Sequence, residues 1–365
     1  MIVNTFKDLI EKYPTWADMQ LYIESEEGGH FRVVDKNEEF CMIRYEKGIS
    51  NMSLPHSKWF RSVVWNTRLN RPVCVAPPKS STDFSFNSKM ICQELLDGFM
   101  INCFKDKTLH ITSRSKLDAT GTFYSQKSFR DLFIEASENI DITCPEPGEI
   151  SVFYSFLVQH KDHRIVKKCE NRAFVIHRGV VFEDGAVRIE DNPLSQLENI
   201  MYEPTNEWIQ NKMITNDWQF QGVVFKDDLG NRWKFRSDKY NAVKSLRGNS
   251  SNIRDRFAQL FTQNLLFRYL EYYPEEMNPM IEHVMFVNNI IKTLYDHYVT
   301  MRIKKIVIDI DKMFLPHLYN IHGIYLNQLR PIGKKITMHD ISIYLQKQPW
   351  QRVSFLINKV VGVEQ

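Results

Sequence analysis

A chain of 365 residues is long enough for one large domain and a smaller one, at roughly 100–200 residues per domain. Hydrophobic residues at 43%, aromatic residues at 13% and charged residues at 25% exclude a disordered chain and provide for a sizeable buried core. Lysine plus arginine (47) nearly balance aspartate plus glutamate (44), so the formal charge of +3 gives no ground for nucleic-acid binding, and any basic surface must be local.

The opening segment MIVNTFKDLIEKYPTW lacks a charged start followed by a long apolar stretch, and no window approaches the ~18 apolar residues of a membrane span. The expectation is a soluble, intracellular protein with no membrane partner. Phe6, Leu9 and Ile10, with Pro14 closing the run, predict a short helix over 4–13. Short runs rich in β-branched and aromatic residues predict strands at 20–23, 31–34, 41–45, 62–65 and 72–76. Residues 99–114 read as two strands around a polar turn at 105–108, and 125–138 as an amphipathic helix with a serine cap. Strands return at 152–158, 172–178 and 179–189, giving a two-sheet α+β pattern up to about Leu246.

After Gly248 the composition changes. Apolar residues recur at three- and four-residue spacing through 253–273 and 278–314, which predicts helices, and 246–252 has the glycine, asparagine and serine content of a linker. The domains expected are therefore 1–250, α+β, and 251–365, helical. The six cysteines are scattered with no CxxC pair, as expected of reduced thiols.

The most informative stretch is 218–249. It reads as a strand, an acidic turn at 227–230 and a second strand carrying Lys234 and Arg236 on one face, since alternate strand residues share a face. On the hairpin alone a solvated outer face accounts for the two cations. The longer pattern adds to this: QGVV at 221–224, KFR at 234–236 and SDKY at 237–240 resemble motifs IV and V of bacteriophage-type RNA ligases, members of the covalent nucleotidyltransferase superfamily. Further segments match in order. RSVVWNTRLNRPVCVAPPKS at 61–80 resembles the segment before the nucleophile strand, with Arg61 kept and Ser62 in place of a glycine. ELLDGFM at 94–100 falls at the nucleophile motif KxDG, HITSRSK at 110–116 at the strand that follows, and FYSFLVQHKDHRIV at 153–166 at motif III. The resemblance implies a ligase-type adenylation domain of antiparallel sheets with flanking helices, followed by a helical C-terminal domain.

In that family a lysine attacks the α-phosphate of ATP, which requires a nitrogen lone pair. The resemblance aligns that lysine with Leu95, the motif III glutamate with Leu157 and the motif IV glutamate with Gln221. Leucine is no nucleophile and no metal ligand, and glutamine lacks the charge Mg²⁺ prefers. Lys89 and Lys105 lie close in sequence, but neither is spaced to replace the nucleophile. Arg61, Asp97, Arg114, Lys234 and Arg236 survive as remnants of the phosphate-binding set. Two roles stay open for the cations: non-covalent binding of nucleotide or nucleic-acid phosphate, or scaffold groups in salt bridges.

His160 with His163, His317 and His322 lack the partners of a metal set and are expected as core or surface groups. Phe267, Tyr269, Tyr272 and Tyr273 offer base-stacking surfaces, but at helical spacing they are expected in a core. The expectation is a ligase-like pseudoenzyme with no catalytic residue, no metal and no cofactor, acting as a structural, assembly or binding protein with protein partners. Such a protein would sit in the cytoplasm or, if viral, in the virion of a large DNA virus. The alternatives are an active ligase using ATP and Mg²⁺ with a displaced nucleophile, and an accessory factor that binds RNA or DNA.

Overall fold

The computed structural model describes residues 1–81, 84, 90–137, 141–190, 205–227 and 230–362. Lys89 and half of the acidic turn, Asp228 and Leu229, fall outside them. The chain divides into two compact units, Met1–Ala242 and Val243–Gln365. The division lies ahead of the change of composition at Gly248.

The first unit is mixed α and β with antiparallel sheets. It opens with β1 (Ile2–Val3), α1 (Thr5–Lys12) and α2 (Trp16–Glu24), then β2 (Phe31–Lys36), β3 (Phe40–Tyr45), β4 (Val63–Asn66) and β5 (Arg71–Val75). Next come β6 (Ile91–Glu94), β7 (Phe99–Lys105), β8 (Leu109–Thr112), α3 (Phe129–Ala136), β9 (Glu149–Gln159), β10 (Arg172–Phe182) and β11 (Val187–Glu190). After α4 (Asn206–Thr215) the hairpin β12 (Gly222–Lys226) and β13 (Arg232–Arg236) leads into α5 (Asp238–Arg247). These strands form three sheets where the sequence pattern implied two: β1-β11-β10-β9-β7-β8, β13-β12-β6 and β2-β3-β4-β5. The extra sheet arises because β6 pairs with β12 across more than a hundred intervening residues, a contact no local pattern encodes.

Two elements differ from expectation for readable reasons. Residues 20–23 are helical, within α2: Met19 and Ile23 are buried one turn apart, and the Thr15 side chain accepts a hydrogen bond from the Asp18 N–H as an N-cap. Their β-propensity yields to that packing. Strand β10 runs unbroken through the expected boundary at 178–179, and Gly185 makes the turn into β11.

Three buried clusters hold the unit together. The largest joins α1 and α2 to the four-stranded sheet through Phe6, Met19, Phe31, Phe60 and Trp65. A second packs Phe133 of α3 on Phe156 of the six-stranded sheet, and the third covers one face of the three-stranded sheet with Ile209 of α4. Each fully buried large side chain contributes roughly 1.5–3 kcal/mol.

The second unit is helical: α6 (Ile253–Thr262), α7 (Leu266–Tyr272), α8 (Met277–Tyr298), α9 (Leu315–Ile324), α10 (Met338–Gln346) and α11 (Trp350–Val361). The expected helix through 278–314 stops early. A π turn, Val299–Ile303, ends it, and Lys305 takes a left-handed φ of 57°, so the β-branched run that follows has no regular structure. Among the described residues no helix is long and apolar enough to cross a membrane, and the six cysteines are free.

Candidate functional site

The three-stranded sheet sorts its side chains by face. Directly paired residues share a face, so Glu94 and Val223 oppose Phe235, while Gln93 and Val224 align with Lys234, and Gly222 with Arg236. Val223, Phe225, Trp233 and Phe235 form the apolar face under α4. The other face carries Arg232, Lys234 and Arg236. Leu95 continues β6 on that second face, its N–H donating to the Gly222 carbonyl at 2.9 Å. The position aligned with the nucleophile thus stands in one row with Gly222 and Arg236, as a buried leucine.

Gln221 is buried beside it. In the amide orientation that pairs donors with acceptors, its nitrogen donates to the carbonyls of Leu95 (3.2 Å) and Leu96 (2.7 Å). A carboxylate there would face two carbonyl oxygens with nothing to donate. A glutamine at 221 is therefore matched to the backbone path of the 95–96 segment. Introducing an acid, Gln221→Glu, is expected to cost about 2–4 kcal/mol at pH 8, the penalty for an unpaired buried carboxylate. Carbonyl neighbours raise the folded-state pKa of such a glutamate above its unfolded value of about 4.3, so the deficit is least at acid pH and grows as pH rises through the folded value. Urea unfolding at pH 5 and pH 8 reads this out; a deficit independent of pH would refute it.

Asp97 is the other fixed point. One carboxylate oxygen accepts the N–H groups of Val166 (2.9 Å) and Lys167 (3.0 Å), and the other accepts the Tyr240 hydroxyl at 2.8 Å. The Gln159 side chain donates to its carbonyl at 2.9 Å. Three segments selected from sequence, ELLDGFM, the end of HKDHRIV and SDKY, meet on this one carboxylate. Gly98 beside it lacks a Cβ because one would lie 2.5 Å from the Val158 carbonyl oxygen, and Gly222 (φ 138°) would place one 1.9 Å from the Phe235 oxygen. Leu157, on β9, packs at the same point, 3.2 Å from where a Gly98 Cβ would stand.

The cations gather around Tyr45. The Arg114 guanidinium lies 5.2 Å from the ring centroid and the Lys79 ammonium 5.3 Å. Arg61 donates to the Pro77 carbonyl at 3.4 Å. Burial, with Arg114 and Arg236 nearby, pushes the Arg61 guanidinium down to about 10, and burial together with Arg114 lowers that of Arg44. Those couplings place Arg44, Arg61, Arg114 and Arg236 within each other's field. Among the described residues none of these four, nor Lys79, forms an ion pair, and the buried Arg114 Nε has no hydrogen-bond partner. Among the described residues, then, no salt bridge gives Arg61, Arg114 or Arg236 a scaffold role.

Sequence reasoning missed Arg44, Tyr45 and Lys79. Lys79 was within reach as the end of the PPKS segment, whereas Arg44 and Tyr45 come from β3 and carry no motif. Lys105 ends β7 and donates to the Ile142 carbonyl at 3.1 Å, so it is engaged elsewhere.

His160 is buried, with Nε2 3.1 Å from Glu135, and Glu135, His160 and Asp162 bring ligand-type atoms within 4.8 Å of one another. The Lys127 ammonium already lies 2.7 Å from Glu135 and 3.0 Å from Asp162, giving the two carboxylates a cation of their own. His163 packs among Phe99, Tyr124 and Phe129; His317 hydrogen-bonds the Tyr344 hydroxyl at 2.9 Å, and His322 that of Tyr298 at 3.2 Å. Of the C-terminal aromatics, Tyr269 and Tyr273 are core, stacked at 4.6 Å, while Phe267 is exposed. No protein-family model matches the chain, and no curated protein matches its sequence.

Proposed function

We propose that this protein is a catalytically inactive RNA-ligase-like pseudoenzyme that holds a phosphate-bearing ligand on the cations around Tyr45 without covalent attachment, and which serves as a binding or structural component of an assembly. The observation that carries the reading is the set of cations around Tyr45 with no carboxylate partner. Like charges brought together in a fold repel, by roughly 1 kcal/mol per pair at 4 Å in water and more where water is excluded. An anionic ligand offsets that cost. The collinear motifs that converge on Asp97 and Gln221 support the ligase-like fold, and Leu95 and Leu157 remove its chemistry. Exposed apolar side chains one turn apart on α8, Ile281 and Met285, with Phe267 and Val307, support protein partners for the second unit.

The test is incubation with α-labelled ATP or GTP and Mg²⁺. No covalent label is expected after denaturing electrophoresis, whereas nucleotide binding at equilibrium is expected and weakens as salt is raised. The double variant Arg61→Ala, Arg114→Ala should lose at least about tenfold in affinity, each lost charge-assisted bond being worth roughly 1.5–3 kcal/mol. A labelled protein band would establish instead an active nucleotidyltransferase with a displaced nucleophile. Affinity unaltered in the double variant would remove the cations around Tyr45 from the reading.

A further inference from the structure

Away from the Leu95 row, the same unit contains a cavity of about 90 Å³ lined in part by Ile91, Ile176, His177, Lys226 and Arg232. It lies at the other end of the three-stranded sheet, where Ile91 pairs with Lys226 and Lys226 with Arg232. Two residues of its lining carry buried nitrogens that, among the described residues, have no hydrogen-bond partner: the Nε and Nη1 of Arg232 (7% exposed) and the Nε2 of His177 (8% exposed). Such groups cost roughly 1–3 kcal/mol each when left unpaired, more when charged. A β-bulge between Val175 and His177 lets the adjacent residues Ile176 and His177 both face the cavity, which a regular strand forbids.

We propose that this cavity is a second anion site, distinct from the cations around Tyr45, and that it takes a protonated phosphate ion, accepting hydrogen bonds from Arg232 and donating one to His177. The donor and acceptor pattern specifies the ligand. Arg232 can only donate, and among the described residues it forms no ion pair. Of the carboxylates on the cavity wall, Glu190 is paired with Arg178 at 3.2 Å and Arg188 at 3.5 Å, and Asp227 accepts both the backbone and side-chain N–H of Asn231. His177 is bonded through its ring to the Val75 carbonyl, which takes the one N–H of the neutral ring and leaves Nε2 an acceptor. Burial, with the cations Lys226, Arg232 and Arg61 nearby, pushes His177 down to about 3, so the ring is neutral at physiological pH. Burial and Arg61 push Arg232 down to about 9, leaving it a cation there.

A site with a fixed cation and a fixed acceptor suits an oxyanion that keeps a proton. Hydrogen phosphate has a P–OH at neutral pH; sulfate has none. The volume holds several water-sized groups, at roughly 10–15 Å³ each, which matches a five-atom ion and not a nucleotide. The inference does not rest on the pseudoenzyme reading, because Leu95, Gln221, Arg114 and Lys79 take no part in it.

Arsenate and selenate mimic phosphate and sulfate and are located by anomalous scattering. Crystals of the full chain soaked in arsenate at neutral pH should show a peak between Arg232 and His177, and crystals soaked in selenate none there. In calorimetry the protein should bind phosphate at least about tenfold more tightly than sulfate, and Arg232→Gln should lose at least about tenfold in phosphate affinity. A selenate peak of equal height, no peak at Arg232 with either ion, or a peak confined to the cations around Tyr45 would each overturn the assignment. The soaks use the unaltered chain, so the test stands even if the Arg232 variant fails to fold.

Discussion

Asp97→Ala is expected to lower the unfolding free energy of the first unit by about 3–5 kcal/mol, the range for breaking a buried network. The carboxylate is 6% exposed and receives the N–H groups of Val166 and Lys167 and the hydroxyl of Tyr240. Hydrogen bonds to a charged acceptor contribute roughly 1.5–3 kcal/mol each, and a buried donor left unpaired costs roughly 1–3 kcal/mol. Simple addition overshoots, because the 166–167 segment can shift and admit water, so the sum is capped by relaxation. Asp97→Asn keeps one acceptor oxygen and should fall between the wild type and the alanine variant. Tyr240→Phe removes a single bond and should cost about 1–2 kcal/mol. Urea unfolding of the full chain measures all three; an alanine variant within about 1 kcal/mol of wild type would show that the carboxylate does not hold these segments together.

That expectation gives Asp97 a structural role. The resemblance to ligase motifs singled out Asp97 in sequence, and the fold shows that it ties three of the selected segments to one another. Much of the first unit was legible because its strands alternate and its turns carry glycine or asparagine; α3 was legible from its serine cap at Ser128. What was hidden depends on pairing between distant segments. The strand β6 follows a segment outside the described residues and meets β12 by long-range pairing, so the third sheet and the row Leu95, Gly222, Arg236 have no local signature. The same holds for the site. Arg61, Arg114 and Arg236 stand out when motifs are aligned, whereas Arg44 and Tyr45 look like ordinary strand residues. Arg232 and His177 become conspicuous only when burial leaves their nitrogens without partners. Gln221 aligns with an acid under the resemblance and acts in space as a donor to two carbonyls.

In the second unit the largest effect is expected at Glu276. Its carboxylate binds the guanidinium groups of Arg247 and Arg256, the latter at 2.8 Å, and accepts the Tyr269 hydroxyl at 2.6 Å. Both arginines are at most 4% exposed, so Glu276→Ala strands two buried cations and should cost about 3–5 kcal/mol. Burial alone would push the Glu276 carboxyl up, but Arg247 and Arg256, with the Tyr269 hydroxyl, more than offset it and hold it below the usual carboxylate range. A depressed folded-state pKa means stability that is present above the unfolded value of about 4.3 and is lost as pH falls through the folded one. The gap between wild type and Glu276→Gln should therefore be widest near neutral pH and close toward pH 3. If the cost arises from stranded charge and not from lost packing, then removing the charges together should recover it. A variant combining Glu276→Met, Arg247→Met, Arg256→Met and Tyr269→Phe fills the same space without a polar group to satisfy, and is expected to unfold within about 1–2 kcal/mol of wild type. Equal losses in that variant and in Glu276→Ala would mean that the network contributes by its shape, and that its charges are incidental.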